Sequence, residues 1–522
     1  MNIITMLEAR TAEHPERPAI IDGRSGRERS LSYQALDESA ARLASLLRAT
    51  DIGAGDAVLV LQPMSGELYQ ILLALFRLGA VAMFLDPSAG RAHIEQCCAI
   101  GQPRALIASP RAHLLRLVSP AMRRIPHCFV TTGFMPGAQP IAHAERYPPL
   151  MTHAAGGDAP ALLTFTSGST GRPKAALRSH AFLLAQHAAL RGALALRSGE
   201  RDLSTLPIFL LANLASGMTS LIPDADLRRP GFIRAAPVLA QARALGIERC
   251  GASPAFFERL AEQAETEGLG LPFKRMDMGG APVFPPLLDR LRRLAPDARI
   301  VAVYGSTEAE PMAEIEQREI GAAERTAMRA GSGLLVGLPA SSLQLRILPD
   351  RFGTPIGSLT AEQFEQNVLT RGEIGEIVVN GAHVLPGYLH GVGDADSKFE
   401  VAGQRWHRTG DAGWLDAHGR LWLVGRCSAR INDKRGRLYP FSVECAASFW
   451  PGVRRCAMLA HHGRRLLLIE SDAKADFSAL KMDLGKALHW AKIDEIRRIT
   501  AIPLDRRHNA KIDYTRLNTL LE

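Results

Sequence analysis

The run Leu163 to His180 reads LTFTSGSTGRPKAALRSH. An apolar stretch gives way to six consecutive small residues, Thr166, Ser167, Gly168, Ser169, Thr170 and Gly171, and then to Arg172-Pro173-Lys174. Small residues let a backbone curl until several N–H groups face one anion, and four hydroxyls add donors. Lys174 supplies a compact positive charge suited to a polyphosphate. The spacing is not that of the common P-loop, G-x-x-x-x-G-K-[ST], because Pro173 precedes the lysine and Ala175 follows it. The chemistry on offer is the gripping of a polyphosphate.

Other chemically suggestive segments follow in order: Gly279-Gly280-Ala281-Pro282, Val303-Tyr304-Gly305-Ser306-Thr307-Glu308, Arg371–Ile377, His407-Arg408-Thr409-Gly410-Asp411, Leu423-Val424-Gly425-Arg426, and RRHNAKID at 506–513. Together with the phosphate run they resemble the motifs of the adenylate-forming superfamily: acyl-CoA synthetases, peptide-synthetase adenylation domains and luciferases. Members activate a carboxylate with ATP, giving acyl-AMP and pyrophosphate. The resemblance implies ATP and Mg²⁺ as cofactors and a role for each matching residue. Residues 166–171 and Lys174 would hold the β- and γ-phosphates. Gly280, Ala281 and Pro282 would lie against adenine, with Tyr304 stacked on it. Thr307 would touch a phosphate, Glu308 would hold Mg²⁺, and Asp411, assisted by Arg426, would accept from the ribose hydroxyls. Lys511 would meet the substrate carboxylate and the α-phosphate, although Ala510 replaces the usual glycine. The chemistry is coherent. A hard dication prefers carboxylate and phosphate oxygens, and attack on an already anionic phosphorus needs preorganised donors and a metal to spread charge.

The stretch Thr205–Thr219, TLPIFLLANLASGMT, stands where the family lines its acyl pocket. Phe209, Leu210, Ala212, Asn213 and Gly217, with Gly305, are the expected pocket residues. No Asp is present there to pair an α-ammonium group, whose burial alone would be costly, so an apolar acyl chain is expected. The alternative for this stretch is ordinary core. Glu310 stands where an apolar residue is more usual, and a charge there implies a polar or shorter substrate. Ser428 and Asn432 replace residues that many CoA ligases use after the hinge arginine. The runs Pro207–Asn213, Ile222–Asp226, Gly436–Tyr439 and Arg506–Lys511 are similar to β-lactone synthetases of bacterial olefin pathways. Those relatives adenylate a β-hydroxy acid whose own hydroxyl displaces AMP, a nucleophile with a large effective concentration. The first reading is therefore acid activation followed by lactone closure. A second passes the acyl group to CoA or to carrier-protein phosphopantetheine. A third is a catalytically idle nucleotide-binding protein, against which Glu308, Asp411 and Lys511 argue, and a fourth is a free-standing amino-acid adenylation enzyme.

These residues need a scaffold. Strands are expected at Ala57–Leu61, Ala80–Leu85, Ala105–Ala108, Ala161–Thr166, Ile300–Val303 and Ile374–Val379, with a helix over Glu67–Leu78 apolar on most faces. The alternation predicts βαβ units and an α/β class that continues past residue 370. The expected architecture is a large multi-subdomain body with mixed and parallel sheets flanked by helices, residues 1–426. A small α+β lid, residues 427–522, follows a hinge near 426–428 and carries Lys511. That last stretch holds 18 Lys and Arg against 11 Asp and Glu, so it carries most of the net charge of +9 of the 522-residue chain. The excess reads either as a solvated basic surface or as a lid over an anionic ligand. Seven scattered cysteines without C-x-x-C exclude a disulfide framework or zinc site, and no segment reads as a signal peptide or membrane span, so a cytoplasmic enzyme is expected. The expected partner is a small-molecule carboxylic acid, joined on the second reading by an acyl carrier protein or pathway enzymes, with no nucleic acid.

Overall fold

The computed structural model describes residues 2–167, 173–472, 475–504 and 512–522. Two large sheets dominate. The first has seven strands in the order Gln139–Pro140, His127–Val130, Ala105–Ala108, Ala57–Leu61, Val81–Phe84, Pro160–Ser167, Pro173–Ser179. All its neighbours run parallel except the last pair, an antiparallel hairpin whose connection is the phosphate run. The helix Gly66–Leu78 is buried along almost its whole length, as a sequence apolar on most faces requires.

The second sheet has fourteen strands. Thr219–Leu221, Arg201–Ser204, Arg249–Ala252, Arg275–Met278 and Arg299–Ser306 lie parallel, joined through buried crossover helices such as Pro254–Glu267. From Ala309–Glu316 onward the main path turns antiparallel, through Leu334–Pro339, Leu421–Arg426, Gln404–Leu415, Gly375–Gly381 and Leu343–Leu348. The 374–379 strand is thus real, but it does not continue the parallel pattern expected of it. Arg299–Ser306 passes to Ala309 through a tight turn, too short for the crossover that a parallel neighbour demands.

After Arg426 come a short ribbon, Ile431–Asp433 with Gly436–Leu438, the helix Pro440–Ala447, and a three-stranded sheet of Val453–His461, Arg464–Ser471 and Glu495–Arg498. Val443, Ala446, Met458, Leu467, Ile469 and Leu484 form its core. This part also grips the body. Tyr439 donates its hydroxyl to Asp350 at 2.8 Å, Arg430 pairs with the other oxygen of the same buried carboxylate, and Trp490 covers Gly331, where a Cβ would come within 2.5 Å of the ring.

A charged layer lies inside the second sheet. Arg249 and Arg275 both reach Asp277 while donating to carbonyls at the end of the helix His180–Ala193, and Asp202 accepts from Asn213 at 2.7 Å. Burial pushes the Asp202 carboxyl up to about 7, against the pull of Arg249 and the Asn213 hydrogen bond. A carboxyl with a raised folded-state pKa adds stability that is complete below about pH 4 and is lost as pH rises through about 7. Asp202→Asn is expected to shrink the fall in thermal midpoint between pH 5 and pH 8 relative to wild type, as read by differential scanning fluorimetry across that range.

Candidate active site

The hairpin around the phosphate run positions its lysine differently from a loop. Lys174 lies on the returning strand, paired with Thr166, and Ser167 pairs with Pro173. Gly168, Ser169, Thr170 and Gly171 lie outside the described residues. The Lys174 ammonium stands 5.2 Å from the centre of the Tyr388 ring and 3.5 Å from the Gly393 carbonyl. Gly393 has φ +95, and a Cβ there would meet the Lys174 side chain at 2.6 Å, so a larger residue would displace the lysine.

The turn after Arg299–Ser306 carries Thr307 and Glu308. Ser306 Oγ accepts from the N–H of Glu308 at 3.2 Å and of Ala309 at 3.3 Å, and Arg178 donates to the Thr307 carbonyl at 2.8 Å. Tyr388 donates to Glu308 Oε1 at 2.7 Å. Burial disfavours the Glu308 carboxylate, but the positive charge facing it from the His407 and Lys398 side, with the Tyr388 hydroxyl, leaves its pKa below the ordinary value. Lys398 is itself only 4% exposed, donates to the Leu385 carbonyl, and is pushed down to about 8 chiefly by burial. His407 is buried with Nδ1 on the Ser397 carbonyl at 3.1 Å, and burial, with Lys398 beside it, lowers its pKa against the pull of the Glu308 carboxylate.

Glu308 suits a hard dication. Tyr388 aims one of its oxygens, and among the described residues no cluster of three or more His, Cys, Asp or Glu side chains could hold a metal. A single protein carboxylate matches Mg²⁺ that keeps phosphate and water oxygens for its remaining positions.

A second group meets on the neighbouring strands. Tyr304 donates to Asp411 Oδ2 at 2.6 Å, and Arg426, opposite Asp411 in the antiparallel ladder, pairs with Oδ1 at 3.1 Å. Arg426 also donates to the Thr409 carbonyl at 3.2 Å. Gly280, Ala281, Pro282, Tyr304, Asp411 and Arg426 all line one cavity of about 1310 Å³ between the body and the C-terminal part. Gly280 adopts φ +81, the left-handed turn that brings this segment round after Arg275–Met278. Across the cavity stand Arg430, Glu444, Arg455 and Tyr514. Burial pushes the Glu444 carboxyl up to about 7 although the Tyr514 hydroxyl bonds it. Lys511 lies outside the described residues, but Ile512, its chain neighbour, lines the same cavity.

The expected acyl-pocket residues divide. Gly305 lines the cavity. Phe209 and Ala212 are buried in one apolar cluster and Leu210 in another, and none of the three borders that cavity. Asn213 is a core residue whose amide serves Asp202 and Ser220, at 2.7 and 3.2 Å. Gly217, at φ +76, closes the helix Pro207–Ala215 and packs against Ser198 and Arg10. An all-round apolar helix buries every face, so the core reading fits these residues. Sequence reasoning passed over Tyr388, Lys398 and Arg178. A Lys beside Phe399 at the start of a strand looks like any exposed strand residue, and only the long-range packing of 385–398 against the hairpin buries it. Tyr388 after Pro386-Gly387 offered at most a turn signal.

Known proteins resemble this chain over most or all of its length. The AMP-binding enzyme family model matches residues 7–389. Olefin beta-lactone synthetases from Stenotrophomonas maltophilia and Xanthomonas campestris pv. campestris are each 33% identical over 99% of this chain, covering 97% and 96% of their own lengths. The structure of the amide bond synthetase McbA from Marinactinospora thermotolerans superposes with a TM-score of 0.81 at 20% identity, each chain covered in full. The chain belongs to the AMP-binding enzyme family and is an adenylate-forming enzyme.

Proposed function

We propose that the protein activates a carboxylic acid with ATP and Mg²⁺, releasing pyrophosphate, and then closes a β-lactone from the resulting acyl-AMP. The observation that carries the first half is the convergence of Gly280-Ala281-Pro282 and the Tyr304–Asp411–Arg426 group on one cavity. Flat apolar walls and an anchored carboxylate there suit a base and a ribose. The hairpin ends at Thr166 and Lys174, with Glu308, supply the polar groups that a triphosphate and its metal require. In the second half the substrate's own hydroxyl oxygen bonds to the acyl carbon. The acyl–phosphate bond breaks, AMP departs, and the hydroxyl proton passes to solvent. This half rests on the full-length similarity to olefin beta-lactone synthetases and on Ser428 and Asn432 at positions where CoA ligases carry other residues. The boundary near 426, with 427–522 closing on the body, belongs to the same reading.

The test is mass spectrometry of products after incubation with ATP and a panel of carboxylic and 3-hydroxy acids, with and without CoA. AMP and a neutral lactone without added thiol support lactone closure, and strict dependence on CoA or carrier protein excludes it. The thioester reading draws on the excess of Lys and Arg over Asp and Glu after residue 426, a balance suited to either acidic acceptor.

Asp411→Ala is expected to weaken ATP binding roughly tenfold to a hundredfold, the scale of hydrogen bonds to a charged group. Titration calorimetry with ATP measures it. Loss of the carboxylate also leaves Tyr304 without its acceptor, so the effect exceeds that of Tyr304→Phe.

A further inference from the structure

Between Arg91 and Ala144 the chain holds six arginines, no lysine and a single acid, Glu95. Glu95 is already engaged, accepting from Ser119 Oγ at 2.5 Å and from the Ala121 N–H at 3.2 Å, and Arg104 pairs with Asp51 and Asp56. Among the described residues Arg111, Arg116, Arg123 and Arg124 pair with no carboxylate. Arg123 instead donates to the carbonyls of Arg116 and Leu117 at 3.2 and 2.9 Å, which ties the short helices Leu115–Val118 and Pro120–Arg123 together. The same segment holds apolar side chains out in water. Leu114 and Val118 are each 54% exposed, Leu117 72% and Phe134 77%. Phe134 stands just before the Met135–Ala138 bridge, and within that turn a Cβ on Gly137 would lie 3.7 Å from the Arg116 guanidinium. The helices and the turn therefore adjoin, and one surface mixes projecting aliphatic and aromatic groups with unpaired positive charge. Apolar groups clustered in this way mark an interaction surface, unlike single exposed residues.

We infer that this surface docks on an anionic lipid bilayer, its guanidinium groups meeting phosphate headgroups while Leu114, Leu117, Val118 and Phe134 enter the boundary of the acyl layer. Arginines interleaved with leucine and phenylalanine match an interface that is anionic at its face and apolar just beneath it. A lipid surface requires no complementary shape, and these side chains project into solvent. A second copy of this chain fits less well, because a two-fold contact would set arginines against arginines. An acidic carrier protein delivering an acyl group would need to dock beside the cavity, and none of residues 110–137 borders it. The inference stands independently of the adenylation reading.

The experiment is co-sedimentation of the full chain with vesicles of phosphatidylcholine, with and without a phosphatidylglycerol fraction, at low and high salt. Wild type is expected to bind the anionic vesicles and not the neutral ones, and salt should weaken the binding by screening exposed charge. Arg111→Gln combined with Arg124→Gln removes two exposed charges whose side chains hold no hydrogen bond among the described residues. That variant should partition roughly thirtyfold more weakly. Leu117→Ser combined with Phe134→Ser should weaken binding at least tenfold while keeping its salt dependence. Both variants should retain the wild-type thermal midpoint and the wild-type rate of ATP–pyrophosphate exchange in solution. No binding to anionic vesicles, equal binding to neutral ones, or binding that survives both variants overturns the assignment. A wild-type dimer in analytical ultracentrifugation that either variant dissociates overturns it in favour of a second copy. Arginine-dependent binding to an acidic carrier protein, with none to vesicles, overturns it in favour of a protein partner.

Discussion

Replacing Lys511 with alanine is expected to reduce ATP–pyrophosphate exchange on the order of a thousandfold while leaving ATP binding nearly unchanged. A cation that meets the carboxylate and the α-phosphate stabilises charge that develops as the two approach, and loss of one such preorganised donor removes that much rate. ATP itself would be held by other groups: Asp411 and Arg426 at the ribose, Lys174 and Glu308 at the phosphates. The anchors around this lysine do not depend on its side chain. Leu504 and Ile512 pair as a bridge and both line the cavity, the Asp513 N–H donates to the Pro503 carbonyl at 2.9 Å, and Tyr514 bonds Glu444. The variant should therefore fold, and its thermal midpoint should match wild type. Exchange near the wild-type rate in Lys511→Ala would show that another group supplies the charge.

What could be read in the chain before its fold follows from the range of the forces involved. The strand that ends at Ser167 and the helix capped by Ser179 are local: an apolar run, small residues, and a serine that accepts from the Phe182 N–H. So are Gly280 and the Tyr304-to-Glu308 turn, where residue type and backbone conformation agree. Lys174 was visible as a charge but not as a strand residue facing Tyr388, because that contact joins positions more than two hundred residues apart. Asn213 shows the reverse: its stretch was expected at the acyl pocket with ordinary core as the alternative, and its amide bonds Asp202 on a neighbouring strand, a partner eleven residues away that local sequence does not reveal. The antiparallel half of the second sheet was hidden because strand periodicity carries no direction, and only the length of each connection does. The concentration of positive charge after residue 426 was legible from composition, whereas the Asp350 carboxylate that fixes Arg430 and Tyr439 was not.

Glu308→Gln is expected to lower exchange by about a hundredfold to a thousandfold and to raise the Mg²⁺ concentration needed for half-maximal rate. The substitution keeps an acceptor for the Tyr388 hydroxyl and nearly the same volume, so it changes charge and little else. Two lysines crowd the same Tyr388 ring, Lys174 at 5.2 Å and Lys398 at 5.7 Å, and Glu308 is, with Asp394, one of two carboxylates whose charge acts on the deeper of them. Removing the Glu308 charge leaves a more positive pocket that still attracts phosphate but no longer attracts the metal. The expected signature is therefore a fall in rate with ATP affinity largely kept at saturating Mg²⁺, not a uniform loss of binding. Tyr388→Phe separates charge from orientation. It keeps the Glu308 carboxylate and removes only the hydrogen bond that aims it, worth about 1.5–3 kcal/mol to a charged acceptor, so its loss should be roughly tenfold to a hundredfold with the Mg²⁺ dependence kept. Exchange assayed over a Mg²⁺ series distinguishes the two variants. If E308Q and Y388F proved equally impaired with the same Mg²⁺ dependence, Glu308 would be acting through packing against Tyr388 and not as the carboxylate that receives the metal.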